Sequence, residues 1–395
     1  MAHVVASLSA GGAELQELAL AERLPRDRVR IDFLATAGPG EYDERARAAG
    51  CRVLHIGVRR QPGESALTGQ RRRTAMALNY ARAARHGRYD IVDAWLYAPA
   101  IVVALMRGLT RTPVVMSGRR DLQPHDRFGP LAGAVDRLVD RLTDAVVANS
   151  AAAAAFALRS HHTDPAKLRV INNGVELIEP LSVTERAAWR RTMGAGDDDF
   201  VIGCVGNYRD MKRHDLLIDA FATLARDRSD LRLVLVGDGP MRPDMERQLT
   251  TLGLEDRVRL HGRELDPRPM YGAFDVVVQA SRSEGLPNVL LGAAAAGRPI
   301  VATAAGSSGE VVIDGETGLL VPTEDLAALT AALRRAVEDP ELRRRLGAAA
   351  RVHVDATFGM ARYVREFVDL YEELAAAKGV QRDITRQRPP AGSVS

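Results

Sequence analysis

Short runs of β-branched and aliphatic residues recur along the chain, separated by longer stretches in which apolar residues return every three or four positions. A strand buried on both faces reads as a continuous apolar run, and an amphipathic helix reads with the 3.6-residue period. The alternation therefore predicts parallel sheets with crossover helices, an α/β protein. In the first half the runs predict strands at 3–8, 30–36, 52–56, 91–95, 113–116, 145–148 and 168–171. The second half repeats the scheme at 200–205, 232–236, 258–261, 276–279, 300–302 and 318–321. Helices are predicted between them, among them 74–85, 130–142, 216–225, 289–296 and, last, 360–374. No short-period repeat is present, which excludes solenoids and propellers.

The break between the halves falls at 176–182, with Pro180 inside it, followed by a helical stretch at 185–193 and an acidic loop at 194–199. The expected organisation is an N-terminal Rossmann-like domain at 1–176, completed by a C-terminal helix at about 358–378. A linker at 177–199 leads to a second Rossmann-like domain at 200–357, and an aperiodic flexible tail at 379–395 ends the chain. Doubly wound sheets bind ligands at the carboxyl ends of their strands, so a cleft between the two halves is the expected site.

Composition narrows the classes. The chain has 395 residues, 46% hydrophobic and 27% charged, which is enough apolar surface for two folded cores. Lys+Arg 54 against Asp+Glu 51 argues against a nucleic-acid-coating protein. Two distant cysteines, Cys51 and Cys204, exclude a disulfide scaffold and a zinc ribbon and fit a reducing compartment. No apolar run approaches the roughly 20 residues of a membrane helix. The N-terminus lacks a basic segment before its apolar run and reads as a first strand. A cytoplasmic location follows as the expectation. Charge is nevertheless uneven: residues 51–90 hold nine arginines against Glu64 and Asp90. Such a block fits either a solvated helix face or peripheral contact with an anionic membrane or an anionic acceptor.

Three loops after predicted strands carry candidate chemistry. Ser9-Ala10-Gly11-Gly12-Ala13-Glu14 follows the first strand, where glycines let backbone N–H groups approach an anion. A tight strand-to-helix turn explains the same residues. Gly206 ends the first strand of the second half and leads into Asn207-Tyr208-Arg209-Asp210-Met211-Lys212. Arg209 as a bidentate fork and Lys212 as a point charge suit a diphosphate; the alternative is a solvated basic loop. Glu284-Gly285-Leu286-Pro287-Asn288-Val289 follows the strand at 276–279. Its amides and helix N-terminus suit a phosphate or sugar oxygen, while Glu284 reads either as an acceptor for sugar hydroxyls or as a helix cap. Asp121 and His125, after Arg119-Arg120, read as acceptor-side or plain loop residues. His161-His162 with Asp164 reads as solvated.

Taken with Asn172-Asn173-Gly174-Val175, Gly237-Asp238-Gly239-Pro240 and Asp314-Gly315-Glu316-Thr317-Gly318-Leu319-Leu320-Val321, these motifs resemble the retaining group-4 glycosyltransferases of GT-B fold over about residues 2–378. The resemblance implies sugar transfer from a nucleotide-diphosphate sugar, probably a UDP-sugar, to a hydroxyl acceptor, with retention and without metal or other cofactor. It implies Arg209, Lys212 and Glu284 as catalytic residues. Gly12, Gly206, Arg263, Gly285, Leu286, Pro287, Asn288 and Val289 join them on the donor, with Tyr97, Arg119 and Asp121 on the acceptor side. One position departs: the family's E-x7-E pattern has a second glutamate, a ribose contact, where this chain has Gly292. Restoring that glutamate is expected to tighten UDP binding. The departure also motivates an alternative reading, a non-catalytic sugar-nucleotide binder that partners an active transferase.

Overall fold

The computed structural model describes residues 1–57, 65–120, 122 and 132–380. Asp121, His125, Arg59, Arg60, Glu64 and the tail from 381 lie outside the described residues. The chain forms two compact units, one of Met1–Asn173 with the segment from Ala361, the other of Gly174–Met360.

In the first unit β1 (Ala2–Val5), β2 (Asp32–Ala35), β3 (Arg52–His55), β4 (Ile91–Ala94), β5 (Val114–Arg119), β6 (Ala145–Ala148) and β7 (Leu168–Val170) form one parallel sheet. Their order is β3-β2-β1-β4-β5-β6-β7, with Ala2 beside both Asp32 and Val92. Helices Ala66–Gly87, Tyr97–Thr110 and Ala132–Leu142 pack side by side on it around Tyr80, Val92, Val103, Val115 and Val139. The last helix, Met360–Ala377, returns to this unit. Its Phe367 stacks on Trp95 with ring centroids 5.6 Å apart, flanked by buried Tyr363 and Tyr371.

The second unit holds β8 (Phe200–Val205), β9 (Leu231–Val236), β10 (Val258–Gly262), β11 (Val276–Gln279), β12 (Ile300–Thr303) and β13 (Leu319–Val321), all parallel, in the order β10-β9-β8-β11-β12-β13. Residues 177–199, expected as a linker, are a packed part of this unit. Helix Val183–Thr192 opens on a capping box between Ser182 and Glu185. Its buried Arg190 donates to Asp275 Oδ2 at 2.6 Å and to the carbonyls of Asp197 and Asp199. One guanidinium thereby ties the helix and the acidic loop to the start of β11, and the unit begins at Gly174 rather than after Glu176.

In both sheets the first three strands run one way from the centre and the fourth starts the other side. The order reverses between β1 and β4 in one unit and between β8 and β11 in the other. Loops leaving the carboxyl ends of those strands splay apart there, which is where doubly wound sheets take ligands.

Candidate functional site

The switch point of the second unit brings two of the three motif loops together. β8 ends at Val205, and the backbone crosses closely beyond it: a Cβ on Gly237 would lie 1.9 Å from the Gly206 carbonyl oxygen. Tyr208 anchors the loop by donating its hydroxyl to the Leu235 carbonyl at 2.7 Å. A single 3₁₀ turn, Asp210–Lys212, follows. Arg213 then adopts a left-handed conformation, φ 50°, held by ion pairs to Asp215 and Glu324. The turn carries Lys212 across to the loop after β11, where its Nζ meets Glu284 Oε1 at 2.6 Å. The same oxygen accepts from Gln279 Nε2 at 2.9 Å and Ser281 Oγ at 2.6 Å. The Arg282 amide donates to the Met211 carbonyl at 2.8 Å, so the two loops are stitched through their backbones as well.

Glu284 is 8% exposed, and three donors converge on one of its oxygens. It does not cap the following helix, Asn288–Ala295, whose N-cap is Pro287 and has no side-chain cap. That helix therefore begins with backbone N–H groups free of a side-chain cap, a partial positive charge at the mouth of the loop. Leu286 and Val289 bury their side chains in the core, and Gly285 and Pro287 are buried too, so this stretch offers a ligand its backbone. Arg209 is exposed, and its guanidinium makes no hydrogen bond or ion pair with any described residue. Arg263 is exposed after β10, beside Gly262 at φ 92°. Beneath the pair, burial pushes the Cys204 thiol up to about 12, and burial with the nearby Lys212 charge pulls His214 down to about 4. The two loops thus hold one buried ion pair, and the first of them also carries an exposed arginine.

Gly292 is packed against an aromatic ring. A Cβ there would lie 2.5 and 2.7 Å from Cε2 and Cζ of Tyr271, and 3.0 Å from its hydroxyl. The ring fills the space that a glutamate would need, so Gly292→Glu cannot tighten nucleotide binding without first displacing Tyr271.

The first unit treats its switch point differently. Gly11 caps the helix Gly12–Arg23 with no side-chain bond, and Gly12 is exposed at its first turn. Tyr97, however, is buried and donates its hydroxyl to Asp136, whose other oxygen lies 2.9 Å from His161 Nδ1. Arg119 ends β5, is buried, and sits 5.7 Å from the Tyr97 ring centre while donating to the Gly118 carbonyl. Tyr97 and Arg119 are thus internal groups, and His161 is buried in their network while His162 alone is exposed. Sequence reasoning missed a second buried group. His3 and Glu17 face each other at 3.0 Å, and Asp93 accepts from Trp95 Nε1 at 3.1 Å and from the Tyr371 hydroxyl at 3.4 Å. Arg120 lies 3.6 Å over the Trp95 ring. The available signal was a histidine and an aspartate inside runs that otherwise read as buried strands.

Residues 185–353 match the family described as glycosyl transferases group 1, and residues 10–179 match glycosyltransferase family 4. The chain is 30% identical to a D-inositol 3-phosphate glycosyltransferase of Kineococcus radiotolerans, over 94% of this chain and 93% of that one. It is 29% identical to the enzyme of that name from Streptomyces scabiei, over 88% and 83%. Its fold matches the crystal structure of Anabaena Alr3699/HepE in complex with UDP-glucose, with a TM-score of 0.82 and 23% identity, over 94% and 99%.

Proposed function

Since the chain belongs to the group 1 and family 4 glycosyltransferases, with the GT-B architecture of two Rossmann-like units, we propose that its second unit binds a nucleotide-diphosphate sugar, a UDP-sugar, at the end of β8 and β11. The transferred hexose or N-acetylhexosamine goes to a hydroxyl acceptor with its anomeric configuration retained. The observation that carries this reading is the meeting of Lys212 and Glu284 beside Arg209 at the switch point. Charge builds on the diphosphate as the glycosidic bond breaks. Arg209 and Lys212 stabilise that charge, a kind of electrostatic contribution that is the largest single one in many enzymes. Lys212 then exchanges part of its bond to Glu284 for phosphate oxygen, which releases the carboxylate to accept sugar hydroxyls. The amides around Leu286–Val289 and Arg263 complete the donor contacts of this unit. In this reading the cations do the work that a metal would do, so transfer is expected to survive a chelator. The leaving phosphate takes the acceptor's proton on the same face of the sugar, which gives retention.

The acceptor side is proposed to work against a membrane surface. Helix Ala66–Gly87 carries five arginines and no acidic residue, and its Leu67 and Leu78 are exposed. Leu105, Leu109 and Leu138 are exposed on the two helices packed beside it. Among the described residues no helix is long and apolar enough to cross a membrane; basic and apolar side chains on one face suit peripheral contact with anionic lipid.

The test is turnover. Purified chain is given UDP-glucose and UDP-N-acetylglucosamine with a panel of hydroxyl acceptors that includes D-inositol 3-phosphate, for which the relatives are named, and the product's anomeric configuration is read by NMR. Retained product in the presence of chelator is expected. Binding of UDP with no transfer or hydrolysis of any donor overturns the enzymatic reading.

A further inference from the structure

A buried tyrosine normally finds a hydrogen-bond partner for its hydroxyl, because leaving it without one costs about 1–3 kcal/mol. Tyr271 is 4% exposed, in the helix Arg268–Ala273 between β10 and β11; its hydroxyl makes no hydrogen bond with any described residue and is not fully enclosed, so what remains of its exposure leaves that oxygen within reach of solvent or a ligand. Its ring packs edge-on to Phe274, with centroids 6.3 Å apart, and lies flat against the helix Asn288–Ala295 at Gly292. The hydroxyl is 3.0 Å from the point where a Cβ on Gly292 would be. Gly292 is one turn beyond Asn288, so the oxygen stands on the face of the helix that follows the Glu284 loop.

We propose that Tyr271 is a donor-binding residue whose hydroxyl contacts a sugar hydroxyl of the nucleotide sugar, and that position 292 is glycine to admit the ring. This rests on the nucleotide-sugar reading of the site. A phenol offers one donor and one acceptor direction, so it bonds one hydroxyl of a pair and can pass a hydrogen bond to the next. Burial holds the phenol well above its ordinary value, so it stays neutral at every working pH and does not repel the diphosphate. A carboxylate in the same place would grip two hydroxyls but add a second negative charge beside Glu284.

The hydroxyl could belong to the nucleoside's ribose or to the transferred sugar, and the ligands of the test separate them. Calorimetric titration of the full chain with UDP, 2′-deoxy-UDP and UDP-glucose is compared with the same series on Tyr271→Phe. The variant keeps the ring against Gly292, and an unchanged ligand-free melting temperature shows that the packing is intact. Wild type is expected to prefer UDP to 2′-deoxy-UDP by roughly three- to tenfold, the range of one neutral hydrogen bond. Tyr271→Phe is expected to bind UDP weaker by a similar factor and to lose the preference. If the variant loses instead a preference for UDP-glucose over UDP, the contact is to the transferred sugar and the proposal stands with that partner. A variant that keeps both preferences and the wild-type affinities overturns it. Failure of the wild-type chain to bind any of the three ligands overturns the nucleotide-sugar reading itself, a different result from binding that ignores the phenol.

Discussion

At the ends of β8 and β11 a lysine and a glutamate meet across two loops, with an exposed arginine on the first of them. At the ends of β1 and β4, under the same strand order, His3, Glu17, Asp93 and Trp95 are packed beneath the helix Met360–Ala377. The difference is one of charge state. Burial holds His3 well below its ordinary value and Glu17 well above it, so the two face each other as neutral groups. In the second unit the Lys212–Glu284 pair is held by three donors on one carboxylate oxygen and by a backbone bond between the two loops. A doubly wound sheet therefore supplies a place for chemistry without guaranteeing that it is used. One unit spends its switch point on docking its own C-terminal helix, and the other joins two loops there through an ion pair.

The largest effects should come from breaking the open switch point. Arg209→Ala and Lys212→Ala are each expected to cut transfer by about 10²-fold or more, the loss of roughly 2.7–4 kcal/mol of transition-state charge stabilisation. Their stabilities should differ. Arg209 has no partner to strand, so its loss should leave the melting temperature unchanged. Lys212 leaves Glu284, 8% exposed, without its cation, and removing one partner of a buried pair is destabilising by up to about 3–5 kcal/mol. Rates and melting curves of the two variants read this directly. Wild-type transfer in Arg209→Ala would remove the diphosphate from this loop.

The two regions should also respond to acid with opposite signs. Burial raises Asp93 from 3.8 to about 6, so the stability it contributes is present below pH 3.8 and is lost as pH rises through 6. His214, held at about 4 against 6.5 unfolded, contributes stability present above pH 6.5 and lost as pH falls toward 4. Each difference corresponds to about 3 kcal/mol across its window. Melting temperature measured from pH 4 to 7 should lose its Asp93 slope in Asp93→Asn, whose amide oxygen still accepts from Trp95, and its His214 slope in His214→Phe. Identical pH profiles for Asp93→Asn and wild type would mean that Asp93 is as well solvated folded as unfolded.

All thirteen strands were legible because strands covered on both faces are continuous apolar runs, and their ends were misjudged by three residues at most. The loops after Val205 and Gln279 were legible as candidate chemistry for the same reason, since a strand end fixes where the next residues go. Their pairing was not. Lys212 and Glu284 are 72 residues apart, and nothing local shows that β8 and β11 are neighbours, though the alternation of strands and helices allowed that order. Tyr271 against Gly292 was beyond reach for a harder reason: which side chain fills a gap depends on the crossing of two helices, and a glycine in the sequence says that space is needed without saying what occupies it. The burial of Tyr97 and His161 was not legible either, because Asp136, on another helix, supplies the partner that allows both to be buried.

The smallest effect expected lies on the outer faces. Surface arginines of the second unit are paired along their own helices, Arg242 with Glu246, Arg247 with Asp244 and Arg344 with Glu341. Helix Ala66–Gly87 of the first unit has no acid with which to do the same. Arg71, Arg73, Arg82 and Arg85 are exposed on it, close to exposed Leu67 and Leu78. A basic residue near an anionic bilayer contributes about 1 kcal/mol, or roughly fivefold in partitioning. Co-sedimentation with vesicles containing anionic lipid should therefore fall about fivefold in Arg73→Ala and hardly change in Arg247→Ala, whose charge is already compensated. Raising salt should weaken it in the wild type, since exposed charges are screened beyond about 10 Å at 0.1 M. Pelleting that is equal with neutral lipid, or that drops as much for Arg247→Ala as for Arg73→Ala, would return the helix to an ordinary solvated face and leave the switch points as the sole functional contrast between the units.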